Sequence, residues 1–266
     1  MNIAEAAERL TGAKVHAAQP MQGGDLSAVW RIDLAGGTRL IAKRSPMVAS
    51  DAAMLKAISA SGAPAPAIIA CEGELLLMDW IAHDGGPGPA WDDLAQVLAC
   101  LHGAHGASYG WTGDYAFGNV GIANSRSENW PVFWSERRLL PFVGDLPAGL
   151  GTRVERLARA LPDLLPAEPN ASLLHGDLWG GNVLSQGTRV AALIDPACYH
   201  GDREVDAAML TLFDHPPLRF FDALELDAGW RERQPVYRLW PLLVHLRLFG
   251  GHYRRSVEES LRRLGH

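Results

Sequence analysis

His175-Gly176-Asp177-Leu178-Trp179-Gly180-Gly181-Asn182 is followed, after a short turn, by the apolar run Ala191-Ala192-Leu193-Ile194 and then by Asp195-Pro196. Three short apolar segments, Ser172 to Leu174, Asn182 to Ser185 and Val190 to Ile194, read as strands of a few residues bounded by turns. The pattern places two carboxylates, Asp177 and Asp195, and one carboxamide, Asn182, in loops at strand ends, where side chains meet solvent or a ligand. Either Asp taken singly caps a turn as readily as it serves a reaction. The two together with His175 and Asn182, in this order, exceed what turn capping requires.

Working outward, Val29 to Leu34 and Arg39 to Arg44 read as strands around the turn Ala35-Gly36-Gly37-Thr38. Lys43 falls on the face of the second strand opposite Leu40 and Ala42, and Gln22-Gly23-Gly24-Asp25 precedes the hairpin as a glycine-bearing connection. A short helix is expected over Ala4 to Leu10. Another, capped by Ser50, is expected from Asp51 to Ala60, with Met54, Leu55 and Ile58 on one face and Gly62 ending it. Strands follow at Ile68 to Cys71 and Glu74 to Met78. The breaker cluster His83-Asp84-Gly85-Gly86-Pro87-Gly88-Pro89 then marks a boundary. Beyond it helical spacing dominates, over Trp91 to His105, Gly151 to Leu161, 203–213 and 236–263. The expected class is therefore α+β in two lobes: an antiparallel sheet plus helix over 1–82, of five strands or similar, and a mainly helical lobe over 83–266.

Composition narrows the function. The chain has 266 residues, 48% of them hydrophobic and 20% charged, enough to bury a substantial core. Its formal charge of −6 argues against partners held by phosphate neutralisation, nucleic acid above all, and against anionic membranes. Cys71, Cys100 and Cys198 form no C-x-x-C pair, as expected of thiols in a reducing compartment. Met1 to Thr11 carries Glu5 and Glu8 and lacks the cationic start and apolar stretch of an export signal. No apolar run approaches the ~20 residues needed to span a bilayer. A cytoplasmic monomer is the expectation. His102 and His105 stand three apart, a spacing compatible with metal, but no third ligand accompanies them and they read as core or surface residues.

Phosphoryl transfer requires an acceptor for the proton of the attacking hydroxyl, oxygen ligands for Mg²⁺ and a cation on the phosphates, because its loose transition state is stabilised by positioning and charge. Asp177, Asn182, Asp195 and Lys43 meet those requirements, with Asp51 on the next helix to orient Lys43 and Gly23-Gly24 as a covering loop. The spacing H-x-D-L-x-x-x-N is that of the protein-kinase catalytic loop. A P-loop G-x-x-x-x-G-K-[ST] is absent from the chain.

At this point the sequence resembles the fructosamine kinases (ketosamine-3-kinases), relatives of aminoglycoside and choline kinases with a protein-kinase-like fold. His175 to Asn182 is similar to that family's HGDLW-x-GN signature, and Leu193-Ile194-Asp195-Pro196-Ala197 with Gly201-Asp202-Arg203-Glu204 is similar to its second block. Gly110-Trp111, Asn129-Trp130 and Phe133-Trp134 with Glu136-Arg137-Arg138-Leu139 extend the likeness, which covers about Gln22 to Leu212. The resemblance implies ATP-dependent phosphorylation of the 3-hydroxyl of a ketosamine such as fructosamine or ribulosamine, free or on glycated protein. Asp177 would be the proton acceptor, Asn182 and Asp195 the Mg²⁺ ligands, and Lys43 the phosphate contact. Met78-Asp79-Trp80 would hold adenine, and Trp179, His175 and Asp202 would serve the substrate. A kinase for another aminated hydroxyl compound, aminoglycoside-like, and a catalytically silent kinase-like binding protein are the competing expectations.

The departures are informative. Asp51 stands where the family has Glu, one methylene longer, and Asp25 stands where some relatives have the Cys of a thiol switch. Gly176 replaces the arginine with which protein kinases grip an activation-loop phosphate, and no A-P-E follows Asp195. Regulation by such a phosphate is not expected, nor is a protein hydroxyl as substrate.

Overall fold

A computed structural model describes residues 2–21 and 27–266. Helix α1 (Ile3–Thr11) opens with the Asn2 side chain accepting from the Ala4 amide and closes on Gly12, whose left-handed backbone terminates it. Five strands follow: β1 (Val15–Pro20), β2 (Ala28–Leu34), β3 (Arg39–Arg44), β4 (Ile68–Glu72) and β5 (Leu75–Asp79). They form one antiparallel sheet in the order β1-β2-β3-β5-β4. Strand β1 escapes the sequence reading because an edge strand of small and polar residues, ending on Pro20, carries little apolar alternation.

Leu40 and Ala42 face α1 in a cluster with Ile32, Leu34 and Leu77. The opposite face, which carries Ile41 and Lys43, is covered by α2 (Val48–Ala60). This helix starts at Val48, three residues before the expected start at Asp51. Its first turn follows Ser45-Pro46, where the Val48 amide bonds to the Ser45 carbonyl and the Met47 amide to the Ser45 hydroxyl. The early start buries Val48 against the sheet and places Asp51 in the first turn, beneath Lys43. Met54 and Ile58 continue into a second cluster with Leu173, Leu178 and Leu193, so α2 packs on both the sheet and the helical part.

The helical part comprises α3 (Trp91–Gly103), α4 (Trp130–Trp134), α5 (Ala148–Leu164), α6 (Glu204–Phe213), α7 (Leu218–Leu224), α8 (Trp230–Phe249) and α9 (Arg254–Arg263). Residues 236–263, expected as one helical stretch, are divided at Gly250, which takes φ 78. Three two-stranded ladders stand among these helices: β6 (Tyr115–Phe117) with β7 (Val120–Ile122), β8 (Ser172–Leu174) with β11 (Tyr199–Gly201), and β9 (Val183–Gln186) with β10 (Arg189–Leu193). An aromatic core of Trp130, Phe133, Trp134, Tyr199, Tyr237 and Trp240 fixes α4 and α8 against β11. Arg138 is buried within it, its guanidinium 4.1 Å from the Tyr199 ring and 4.8 Å from that of Trp240. Among the described residues no helix is long and apolar enough to cross a membrane.

Candidate active site

The loop after β8 is held from beneath by Asp206 in the first turn of α6, which is 0% exposed. Its Oδ2 accepts from the His175 amide (2.8 Å) and faces His102 Nε2 (3.0 Å), while Oδ1 accepts from the Gly176 amide (3.0 Å). Burial pushes this carboxyl up, but the His102 and backbone hydrogen bonds outweigh it and hold Asp206 below its ordinary value. Gly176 takes φ 80, and a Cβ there would stand 2.1 Å from the Ala197 carbonyl, so the loop admits no side chain at this point.

His175 is itself 0% exposed. Its Nε2 donates to the Ile194 carbonyl (3.0 Å), and Nδ1 receives the Asp177 amide (3.4 Å). This imidazole, whose affinity for a proton burial lowers, ties the loop of Asp177 to the strand that delivers Asp195. Its place is that of a brace and not of a substrate contact. Asn182 Nδ2 donates to the Asp177 carbonyl (2.8 Å) and to Asp177 Oδ2 (3.2 Å), which turns the carboxamide oxygen the other way. Asp177 is pushed up to about 7, by burial first and by the neighbouring charge of Asp195 second. Asp195 takes φ 49, a left-handed conformation uncommon for a non-glycine residue.

Lys43 reaches across from β3. Its Nζ lies 2.9 Å from Asp195 Oδ1 and 2.9 Å from Asp51 Oδ2, with the lysine and Asp51 both buried. Burial opposes the lysine's charge, but the two carboxylates outweigh it and raise its pKa. The shorter side chain of Asp51 does make the contact to Lys43.

Lys43, Asp177, Asn182 and Asp195 open onto one cavity of about 440 Å³. Ser27, Lys43, Asp177, Asn182 and Asp195 line one end, and Trp179, Phe213, Trp240, His245, Phe249 and Tyr253 line the other. The rings form a connected series. Trp179 meets Phe213 at 6.2 Å between centroids, Phe213 meets His245 at 5.2 Å, and His245 meets Tyr253 at 4.9 Å. His245 Nδ1 donates to the Pro241 carbonyl (2.7 Å), and burial lowers its affinity for a proton. Trp179 lies across Gly181, where a Cβ would come within 2.2 Å of its ring. Among the described lining residues, Asp177 and Asp195 are the only acids.

The structure thus brings Lys43, Asp51, Asp177, Asn182 and Asp195 together and sets Trp179 on the cavity wall. It does not bring Asp202 there. Asp202 is 3% exposed and its Oδ2 accepts from the Tyr237 hydroxyl (2.6 Å), which in turn receives Trp130 Nε1 (2.9 Å). It is a buried tie between α6 and α8, so its place among the substrate contacts is withdrawn. Met78 and Asp79 belong to the interior strand β5, and the Asp79 and Trp80 amides are taken by the Ala67 and Arg39 carbonyls. Among the described residues, the first amides after these without a hydrogen-bond partner are those of Ile81 and Ala82. Gly23 and Gly24 lie outside the described residues, as does Asp25.

Sequence reasoning missed Tyr115, whose hydroxyl donates to Asp51 Oδ1 (2.9 Å), and the hydrogen bonds by which Asp206 holds the His175–Gly176 backbone. It missed Phe213, His245, Phe249 and Tyr253 as well. Their helical spacing is indistinguishable from that of core residues.

The likeness to known proteins extends over the whole site. The model of the family described as fructosamine kinase matches residues 1–265. The chain belongs to the fructosamine kinase family. It is accordingly a kinase, an enzyme of the phosphotransferase class. A probable ketoamine kinase of Thermus thermophilus is 34% identical over 267 residues, 92% of this chain and 92% of that one. A crystal structure from Thermobifida fusca YX-ER1, assigned as a fructosamine-3-kinase, superposes with a TM-score of 0.91 at 34% identity, covering 98% of each chain. The protein-kinase-like architecture reaches further, to an aminoglycoside phosphotransferase in complex with AMP-PNP and hygromycin B (TM-score 0.72, 14% identity, 99% of each chain).

Proposed function

We propose that this fructosamine kinase transfers the γ-phosphoryl group of ATP to a hydroxyl of a ketosamine, O3 of a fructosamine or ribulosamine, free or on glycated protein. The observation that carries the reading is the convergence of Lys43, Asp177, Asn182 and Asp195 at one end of a cavity whose other end is aromatic and, among the described residues, carries no carboxylate. A polyamine such as an aminoglycoside needs several anions to neutralise it, and among the described lining residues the whole cavity supplies only Asp177 and Asp195. A single ammonium of a ketosamine is instead accommodated against ring faces.

In this reading residues 1–82 form the nucleotide lobe and 83–266 the lobe of catalysis and acceptor binding. Asp177, held at the acceptor hydroxyl by the Asn182 hydrogen bond, accepts its proton as the phosphoryl group arrives. Lys43 contacts the phosphates, Gly23 and Gly24 cover them, and adenine meets the free amides that follow Met78-Asp79-Trp80.

The donor set also suits Mg²⁺. The Asn182 carboxamide oxygen and the Asp195 oxygen not used by Lys43 are hard oxygen donors, and two protein ligands are what a Mg²⁺ shared with substrate phosphates commonly takes. Bound there, the ion would neutralise charge on the phosphates.

The reading is tested by incubating a fructosyl-lysine peptide with Mg·ATP and the protein, then locating phosphate by mass spectrometry and ³¹P NMR. One phosphate on O3 of the sugar is expected. An unmodified peptide, or phosphate on a serine hydroxyl of the same peptide, contradicts it.

A further inference from the structure

Asp51 stands where the resemblance places a glutamate, and it is 1% exposed. A short, buried carboxylate on a rigid helix has little freedom to correct its own aim at a lysine. The 2.9 Å approach of Lys43 Nζ to Asp51 Oδ2 is an ion pair, but that oxygen receives no aligned hydrogen bond. Directionality enters at the other oxygen. Tyr115 Oη donates to Asp51 Oδ1 at 2.9 Å, the one aligned hydrogen bond to this carboxylate among the described residues.

Tyr115 opens the β6–β7 hairpin, 64 residues beyond Asp51 in the chain. Its ring packs edge-on against Phe117 at 5.5 Å and 87°, and both rings line the cavity. Burial and the Asp51 charge keep its hydroxyl protonated, so it remains a donor.

We propose that Tyr115 is a positioning residue that fixes the Asp51 carboxylate, and through it Lys43, making the β6–β7 hairpin and the nucleotide-side cation one unit. The inference rests on the reading of Lys43 as the phosphate contact. Without the hydroxyl, Asp51 loses its fixed orientation. Lys43 then falls to its aligned partner Asp195, at 2.9 Å, and away from the phosphates.

Tyr115→Phe removes the hydroxyl and keeps the ring. Calorimetric affinity for Mg·AMP-PNP is compared among wild type, Tyr115→Phe, Lys43→Met and the double variant, with thermal melts confirming that each is folded. Tyr115→Phe is expected to weaken binding by about tenfold, the scale of a lost hydrogen bond to a charged group. In the Lys43→Met background it is expected to have no effect, because it acts through Lys43. Equal weakening in both backgrounds would assign Tyr115 a merely structural role, and no weakening in wild type would remove any role; either overturns the proposal.

A wild-type protein that does not bind Mg·AMP-PNP would defeat the nucleotide reading and not this coupling. The coupling is then decided by NMR of the lysine ε-methylenes, of which the chain has three, at Lys14, Lys43 and Lys56. A Lys43 resonance displaced in Tyr115→Phe, with the other two unmoved, supports it; an undisplaced one overturns it.

Discussion

At one end of the cavity, Lys43 from β3, Asp51 from α2, and Asp177, Asn182 and Asp195 from two loops meet at hydrogen-bond or ion-pair distances. At the other end, Trp179, Phe213, His245, Phe249 and Tyr253 meet only through ring contacts of 4.9 to 6.2 Å. Charge chemistry admits few residue types, because a carboxylate that accepts a proton or a lysine that meets phosphate has no close substitute. Ring packing admits many. The first end therefore leaves a motif in the sequence, and the second leaves only apolar residues at helical spacing.

The contrast fails first if the charged end does not behave as chemistry. Asp177→Asn keeps the shape of the loop and removes the proposed proton acceptor, so kcat is expected to fall by about 10²- to 10⁴-fold with nucleotide affinity retained. Stopped-time ADP release and calorimetry measure the two quantities separately. Next in size is Asp195→Ala, which is expected to raise the Mg²⁺ concentration for half-maximal activity by about 10- to 100-fold. A metal titration that superposes on that of the wild type would remove Asp195 from the ligand set.

The aromatic end answers to a different readout. Truncating Phe249, 41% exposed at the rim, removes apolar contact worth about 1–2 kcal/mol, so Phe249→Ala is expected to raise KM for a ketosamine by about tenfold and leave KM for ATP unchanged. A change in both would show that the two ends are not separable.

The smallest effect on turnover is expected from Tyr237→Phe, behind the cavity. Burial and the charge of Glu204 raise the Asp202 carboxyl to about 6, and the Tyr237 hydrogen bond opposes that rise. A carboxyl raised in the folded state binds its proton more tightly there than in the unfolded chain, so the ionised form costs stability above about pH 6 and the cost fades as pH falls toward 4. Tyr237→Phe, which strands Asp202 Oδ2 and Trp130 Nε1, is therefore expected to destabilise by about 1–3 kcal/mol at pH 7.5 and by less at pH 5 in urea unfolding. An equal loss at both pH values would contradict the assignment of Asp202 as a buried tie.

How much the sequence discloses follows the same division. The β2–β3 hairpin, β8 and the limits of α6 stand where turn residues and apolar periodicity place them. Asp177, Asn182, Asp195 and Lys43 were legible because spacing along the chain and position on a strand are local properties. Asp202 misled because it adjoins a motif, yet its carboxylate turns inward to Tyr237 on α8, a contact that no local pattern encodes. Tyr115 was illegible for the same reason: its partner, Asp51, lies 64 residues away and becomes visible only when β6 is laid beside α2. Strand β1 was missed because its pairing with β2, and not its composition, holds it in the sheet.

The most direct test of the central claim is ATP consumption with Mg²⁺ against a fructosyl-lysine, a ribulosyl-lysine, an aminoglycoside and choline. Turnover confined to the two ketosamines is the result predicted by a charged end joined to an aromatic, carboxylate-poor acceptor end. Turnover of the aminoglycoside or of choline in their place, or ATP binding with no turnover of any of the four, would contradict it.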